Sequence, residues 1–109
     1  LEHFAFGIMD RRNLLLYIRE ALYNCIQHSG ANKVMIELWL DCKECVLRIT
    51  DNGSGIPMEM LDKPYSLFAL KARTKQLRGT LEIDSQPQQG LSLILRIPPS
   101  PSRKSFFKS

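Results

Sequence analysis

The stretch KVMIELWLDCKECVLRITDNGSGIP, residues 33–57, decides the fold. Its first half alternates, with Val34, Ile36, Leu38 and Leu40 on one side of an extended chain and Met35, Glu37 and Trp39 on the other. Successive side chains of a strand point to opposite faces, so period two predicts a strand with one buried face over 33–40. ECVLRITD, 44–51, continues in the same style, and the short Asp41-Cys42-Lys43 link predicts a β-hairpin. Gly53, Gly55, Pro57 and Pro64 then break the pattern, so 52–64 is expected to be a loop with room for one short helical turn.

Outward from this hairpin the period changes. Leu14, Ile18, Ala21, Leu22, Cys25 and Ile26 recur at helical spacing and predict a helix over 11–29, with Asp10 as N-cap and Gly30 as the stop. Leu67, Leu70, Thr74 and Leu77 predict a second helix over 67–77, closed by Gly79. TLEID (80–84) and LSLILRIP (91–98) read as two further strands, and LEHFAFGI (1–8) as a candidate extra edge strand. The order helix, two strands, loop, helix, two strands predicts an α+β fold. It is a two-layer α/β sandwich with a mixed, mostly antiparallel sheet covered by helices on one face.

A chain of 109 residues, 44% hydrophobic, fits one globular domain, placed at 1–98, followed by a Pro- and Ser-rich basic tail, 99–109, expected to be disordered. The chain begins on Leu1 rather than a methionine, and is expected to be a piece of something longer. The net charge is +4, but three of those charges, Arg103, Lys104 and Lys108, sit in the tail and leave +1 for the body. That balance argues against a nucleic-acid partner, which calls for a basic face. No apolar run approaches the roughly 20 residues of a membrane span. Three cysteines do not suit a disulfide framework and point to a reducing compartment, the cytoplasm. Cys42-x-x-Cys45 lies at a hairpin tip, and a structural zinc site needs four ligands.

Two patterns carry chemistry. Glu20, Asn24 and His28 stand at i, i+4 and i+8 on the first helix, and steps of four advance only about 40°, so a carboxylate, an amide oxygen and an imidazole share one side. Asp51-Asn52-Gly53-Ser54-Gly55 follows a strand directly; the glycines allow a tight turn and close approach to a ligand, and the acid can accept from an exocyclic amine. Alone, the first pattern also fits a solvated helix face and the second an Asx-type turn. Lys71, Arg73, Lys75 and Arg78 make the second helix basic, as a solvated face is.

Together the two patterns resemble the GHKL ATPase family, and its sensor histidine kinases in particular. REALYNCIQHSGA (19–31) resembles the N box of the nitrate-sensor class and ITDNGSGIP (49–57) its D box. SLFALKARTKQLRGTLEI (66–83) resembles the following helix and strand, and GLSLILRIP (90–98) the closing strand. The similarity keeps order and spacing from Leu14 to Pro98. It implies a Bergerat-type fold, with ATP and Mg²⁺ as cofactors. It implies Asn24 as an oxygen ligand to the metal, Glu20 as the residue holding or polarising a water beside it, and His28 near the phosphates. It implies Asp51 as the acceptor for the adenine amino group, with Gly53, Gly55 and Gly90 close to the purine, and Ser66, Leu67 and Arg73 on the phosphate side. The implied partners are a dimerisation domain carrying a phosphoacceptor histidine and, indirectly, a response regulator. The isolated domain is expected to be a monomer from the cytoplasmic part of a membrane-anchored sensor. Pro64, Ser66 and Leu91 depart from the family's two lid glycines and closing-strand Gly-Thr. These departures leave two alternatives: a degenerate interaction module of the same fold, and an anti-sigma serine kinase, against which the nitrate-sensor-like spacing counts.

Overall fold

The computed structural model describes residues 6–27, 30–53, 67–86 and 90–99. The elements are α1 (Ile8–Gln27), β1 (Val34–Asp41), β2 (Glu44–Asp51), α2 (Phe68–Gln76), β3 (Thr80–Gln86) and β4 (Gly90–Ile97). The sheet order is β1-β2-β4-β3, and every described pair is antiparallel, so the mixed character expected of the sheet is absent among the described residues. The pairing places Val34, Ile36, Leu38 and Leu40 opposite Asp51, Ile49, Leu47 and Cys45, all on one face. That face continues through Leu93, Leu95 and Ile97 of β4.

Both helices cover this face. Tyr17, Ala21 and Cys25 of α1, and Leu70 with Leu77 at the end of α2, form one buried cluster with Cys45, Leu47, Ile49 and the β4 residues Leu91, Leu93, Leu95 and Ile97. Removing each large aliphatic side chain from water contributes about 2 kcal/mol, so this cluster is the main source of stability. The cover stops short of β1, the edge strand. Ile36, Leu38 and Leu40 point to the core face yet stay 47%, 42% and 38% exposed. Alternation therefore gave their common face correctly but not their burial.

Two local expectations are corrected. The helix starts at Ile8, where the Gly7 carbonyl accepts the Arg11 N–H at 3.0 Å, so Asp10 lies in the first turn and is not the N-cap. Ile8 is therefore helical, and Phe6 and Gly7 precede it without strand pairing; residues 1–5 of the expected edge strand lie outside the described residues. Gly30 does serve as a stop for α1, with φ +65° and the following Ala31 N–H returning to the Cys25 carbonyl. The hairpin turn uses Cys42 and Lys43, both at positive φ, as a two-residue turn matched to strand twist requires.

At the end of α2 the roles of two neighbours are exchanged. Arg78 N–H returns to the Lys75 carbonyl and Gly79 N–H to the Thr74 carbonyl, the double bond of a Schellman cap. The left-handed position is Arg78, φ +57°, although a glycine stands next to it. Gly79 is held instead by space, since a Cβ there would lie 2.6 Å from the Arg96 carbonyl oxygen of β4. Arg78→Gly is therefore expected to stabilise the domain by about 1 kcal/mol, and Gly79→Ala to destabilise it by at least about that much. Paired urea-denaturation midpoints check both signs.

Candidate functional site

The site is built at the end of β2. Asp51 is 5% exposed, and its carboxylate is held by two distant segments of main chain. Oδ1 accepts the Gly53 N–H at 2.8 Å and the Leu91 N–H at 3.1 Å. The Cys25 thiol of α1 lies beside the same side chain. β4 reaches this carboxylate only because residue 90 is glycine. Gly90 has φ +92°, and a Cβ on it would stand 2.1 Å from the Asp51 carbonyl oxygen. Leu91 turns its side chain into the core at 1% exposure and gives Asp51 its backbone N–H.

Asn52 locks the neighbouring loop. Its Oδ1 accepts the N–H groups of Asn32 and Lys33 at 3.1 and 3.0 Å, and its Nδ2 donates to Asn32 Oδ1 at 2.7 Å. Beside this clasp a cleft of about 690 Å³ opens, lined by Asn32, Lys33, Val34, Thr50, Asp51 and Asn52 among others. That is a size suited to a small-molecule ligand. It adjoins Asp51 on the β1 side, and among the described residues Glu20 and Asn24 of the polar stripe of α1 are not part of its lining.

On that stripe Asn24 is 8% exposed, and its Nδ2 donates to the Glu20 carbonyl at 2.9 Å. The amide is thereby oriented with Oδ1 as its remaining acceptor, the type of oxygen a hard cation selects. The Glu20 side chain is 31% exposed and lies 3.9 Å from Arg19. Leu67 caps α2 in a left-handed conformation (φ 53°, ψ 32°) with no side-chain cap, which leaves backbone donors of the first turn to an outside acceptor. Arg73 ties the two helices together, donating to Gln76 Oε1 at 2.9 Å and reaching Asn13 Oδ1 of α1 at 3.5 Å. His28, Gly55 and Ser66 of the expected site, with Pro64 and the tail from 100 onward, lie outside the described residues.

Sequence reasoning missed Cys25 and the Leu91 N–H. The first looks like a core position of an amphipathic helix, and the second is a backbone group that no side-chain motif announces. Among the described residues no cluster of three or more His, Cys, Asp or Glu forms a metal site of its own, and no helix is long and apolar enough to cross a membrane.

Comparison with known proteins agrees with this geometry. Residues 9–101 match the model of the histidine kinase-, DNA gyrase B- and HSP90-like ATPases. Sensor histidine kinase LiaS of Bacillus subtilis is 30% identical over 99 residues, covering 90% of this chain and 27% of the relative. Sensor protein VraS of Staphylococcus haemolyticus is 33% identical over 93 residues, covering 84% and 26%. The crystal structure of the ATP binding domain of PrrB from Mycobacterium tuberculosis superposes with TM-score 0.69 at 26% identity, covering 82% of this chain and 68% of that one. The chain thus spans about a quarter of the length of these curated relatives. It belongs to the histidine kinase-, DNA gyrase B- and HSP90-like ATPase family. Within that family it is an ATP-binding catalytic domain of the two-component sensor histidine kinase type.

The buried thiol at the site has a consequence for pH. Burial, and then the Asp51 carboxylate beside it, push the Cys25 pKa from 9.0 up to about 12. An unfolded chain releases that proton from about pH 9, while the folded chain keeps it to about 12, so the folded state binds more protons in this window and loses stability as pH rises through it. The Tyr17 phenol, raised chiefly by burial, acts in the same direction at higher pH. Urea midpoints are expected to fall from about pH 9 upward, with a shallower slope in Cys25→Ser.

Proposed function

We propose that this domain binds Mg–ATP between the Glu20/Asn24 side of α1 and the end of β2, and that in the full receptor it supplies the γ-phosphoryl group to a histidine on a separate dimerisation domain, from which a response regulator takes it. The observation that carries this reading is the preorganised Asp51 carboxylate. A 6-aminopurine presents an N–H donor to it, whereas a 6-oxopurine would present an acceptor to a fixed negative charge. Gly53 and Gly90 allow main chain to pass beside that carboxylate without side-chain obstruction. Asn24 offers Oδ1 to the metal, because its Nδ2 is already spent on the Glu20 carbonyl. The Glu20 carboxylate, partly solvated, would hold a water there. When bound, Mg²⁺ supplies charge neutralisation on the phosphate oxygens. The first-turn N–H groups of α2, from Leu67 onward, lie at a helix start, where phosphate is favoured. Arg73 would keep α2 seated against α1 while that end receives the phosphates. The roles of His28, Gly55 and Ser66 rest on the motif resemblance, as does the finer placement in the nitrate-sensor class. The setting is the cytoplasmic side of a membrane-anchored sensor.

Calorimetric titration with ATP, with and without Mg²⁺, tests the reading. Asp51→Asn keeps an oxygen for the two backbone donors but places an amide where the carboxylate would accept, so ATP affinity is expected to fall about tenfold or more. Asn24→Ala is expected to remove most of the Mg²⁺ dependence with an unchanged circular dichroism spectrum. Equal Mg²⁺ dependence in parent and variant would remove Asn24 from the metal site.

A further inference from the structure

Asn52 follows the proposed purine acceptor directly, and the reading above gives its side chain no task. The ladder of β1 and β2 shows what that side chain does. The two-residue turn at Cys42 and Lys43 closes on the pair Asp41↔Glu44, and in an antiparallel ladder every second pair exchanges both main-chain bonds. Counting back through Trp39↔Val46, Glu37↔Arg48 and Met35↔Thr50, the next such pair is Lys33 with Asn52. Half of that rung is ordinary, because the Asn52 N–H donates to the Lys33 carbonyl at 3.2 Å. The other half is not. The Lys33 N–H donates at 3.0 Å to Oδ1 of the Asn52 side chain, where the pattern calls for the Asn52 main-chain carbonyl. The same Oδ1 accepts the Asn32 N–H at 3.1 Å, and Nδ2 donates to Asn32 Oδ1 at 2.7 Å, so the amide is fixed at both ends. With the last rung completed by a side chain, the main chain can leave the ladder one residue after Asp51. The next N–H, that of Gly53, turns back onto Asp51 Oδ1 at 2.8 Å.

We propose that Asn52 is a positioning residue for nucleotide selection: its side-chain amide replaces a main-chain carbonyl in the β1–β2 ladder and so releases the turn whose Gly53 N–H holds the Asp51 carboxylate for the exocyclic amine of a 6-aminopurine. This rests on the reading of Asp51 as the purine acceptor. Asn52 is exposed and takes no part in the apolar core, so packing does not account for its type. Alanine at 52 leaves the Lys33 N–H without its acceptor, and the main-chain carbonyl of residue 52 is the acceptor that a regular ladder supplies. A chain drawn into that rung carries the Gly53 N–H away from Asp51. Oδ1 then keeps the Leu91 N–H alone, and one point of attachment lets the carboxylate swing. Aspartate at 52 keeps an oxygen at the same reach for both N–H groups, and the Asn32 amide has N–H donors of its own to offer the second oxygen.

The test is the ratio of dissociation constants for GTP and ATP, measured by calorimetry with Mg²⁺ on the chain and on Asn52→Ala, Asn52→Asp and Asp51→Asn. Asn52→Ala is expected to lower the preference for ATP about tenfold, and Asn52→Asp to stay within about threefold of the parent, since its added charge bears alike on both triphosphates. A residue that served only the stability of the turn would weaken both nucleotides alike and leave the ratio unmoved. If Asn52→Ala keeps the parent ratio while Asp51→Asn loses it, the proposal for Asn52 is overturned and the reading of Asp51 stands. If Asp51→Asn keeps the ratio as well, the reading of Asp51 fails and the proposal falls with it. Should Asn52→Ala not fold, amide hydrogen exchange decides. The Lys33 and Gly53 amides are expected to exchange at least about tenfold more slowly than in an unstructured peptide, in the parent and in Asn52→Asp alike. A freely exchanging Gly53 amide in either protein overturns the proposal.

Discussion

A carboxylate taken out of water has to be met by donors, and main-chain N–H groups meet the Asp51 carboxylate from two distant points of the chain. That requirement organises much of the domain. It needs β4 to begin beside β2, and it needs a glycine at 90 because the Asp51 carbonyl occupies the space of a Cβ. It needs the turn after β2 to fold back on itself so that the Gly53 N–H reaches Oδ1. α1 lies over the sheet with Cys25 beside this carboxylate, which brings Asn24 to the level of the strand end.

The local pattern of the chain made most elements legible. Period two in 33–51 and 91–98 and period 3.6 in the two helices correspond to elements found within a few residues of expectation. What failed failed for nonlocal reasons. Alternation reports that a strand has two faces, but not how many neighbours it has, so the exposure of Ile36, Leu38 and Leu40 at the sheet edge could not be seen. An aspartate ahead of a helical period suggested a cap, yet the Gly7 carbonyl starts the helix one turn earlier. Gly79 suggested a left-handed stop, but its lack of a side chain answers the approach of Arg96, and Arg78 takes the left-handed position. At the candidate site, Asp51 and Asn24 announced themselves by residue type and spacing, and Gly90 by the resemblance of the closing strand. The Leu91 N–H and the Cys25 thiol could be recognised only once residues 25, 51 and 91 were brought together in space.

Connections carry much of the backbone strain. Among the described residues, Cys42, Lys43, Leu67 and Arg78 hold positive φ without being glycine, and all lie at the ends of elements. Each such position costs about 1 kcal/mol or more, drawn against a core small enough for the sum to matter. The arrangement persists because the elements on either side are fixed by the sheet and by the α1–α2 contact, including the Arg73 bridge to Asn13. Leu67 differs from the other three in that its conformation starts a helix at the phosphate side of the proposed site.

The sheet order has a consequence for how the domain comes into being. β1 with β2, and β3 with β4, are two hairpins of neighbouring sequence, and each can close over a short loop. The central seam, β2 against β4, joins residues about forty to fifty positions apart, and its loop must be drawn in before any contact rewards it. Asp51 belongs to one hairpin and Leu91 to the other. Neither hairpin by itself contains both of the carboxylate's main-chain donors, so the proposed acceptor for the purine exists only after the seam has closed, and a partly assembled chain carries no competent version of it.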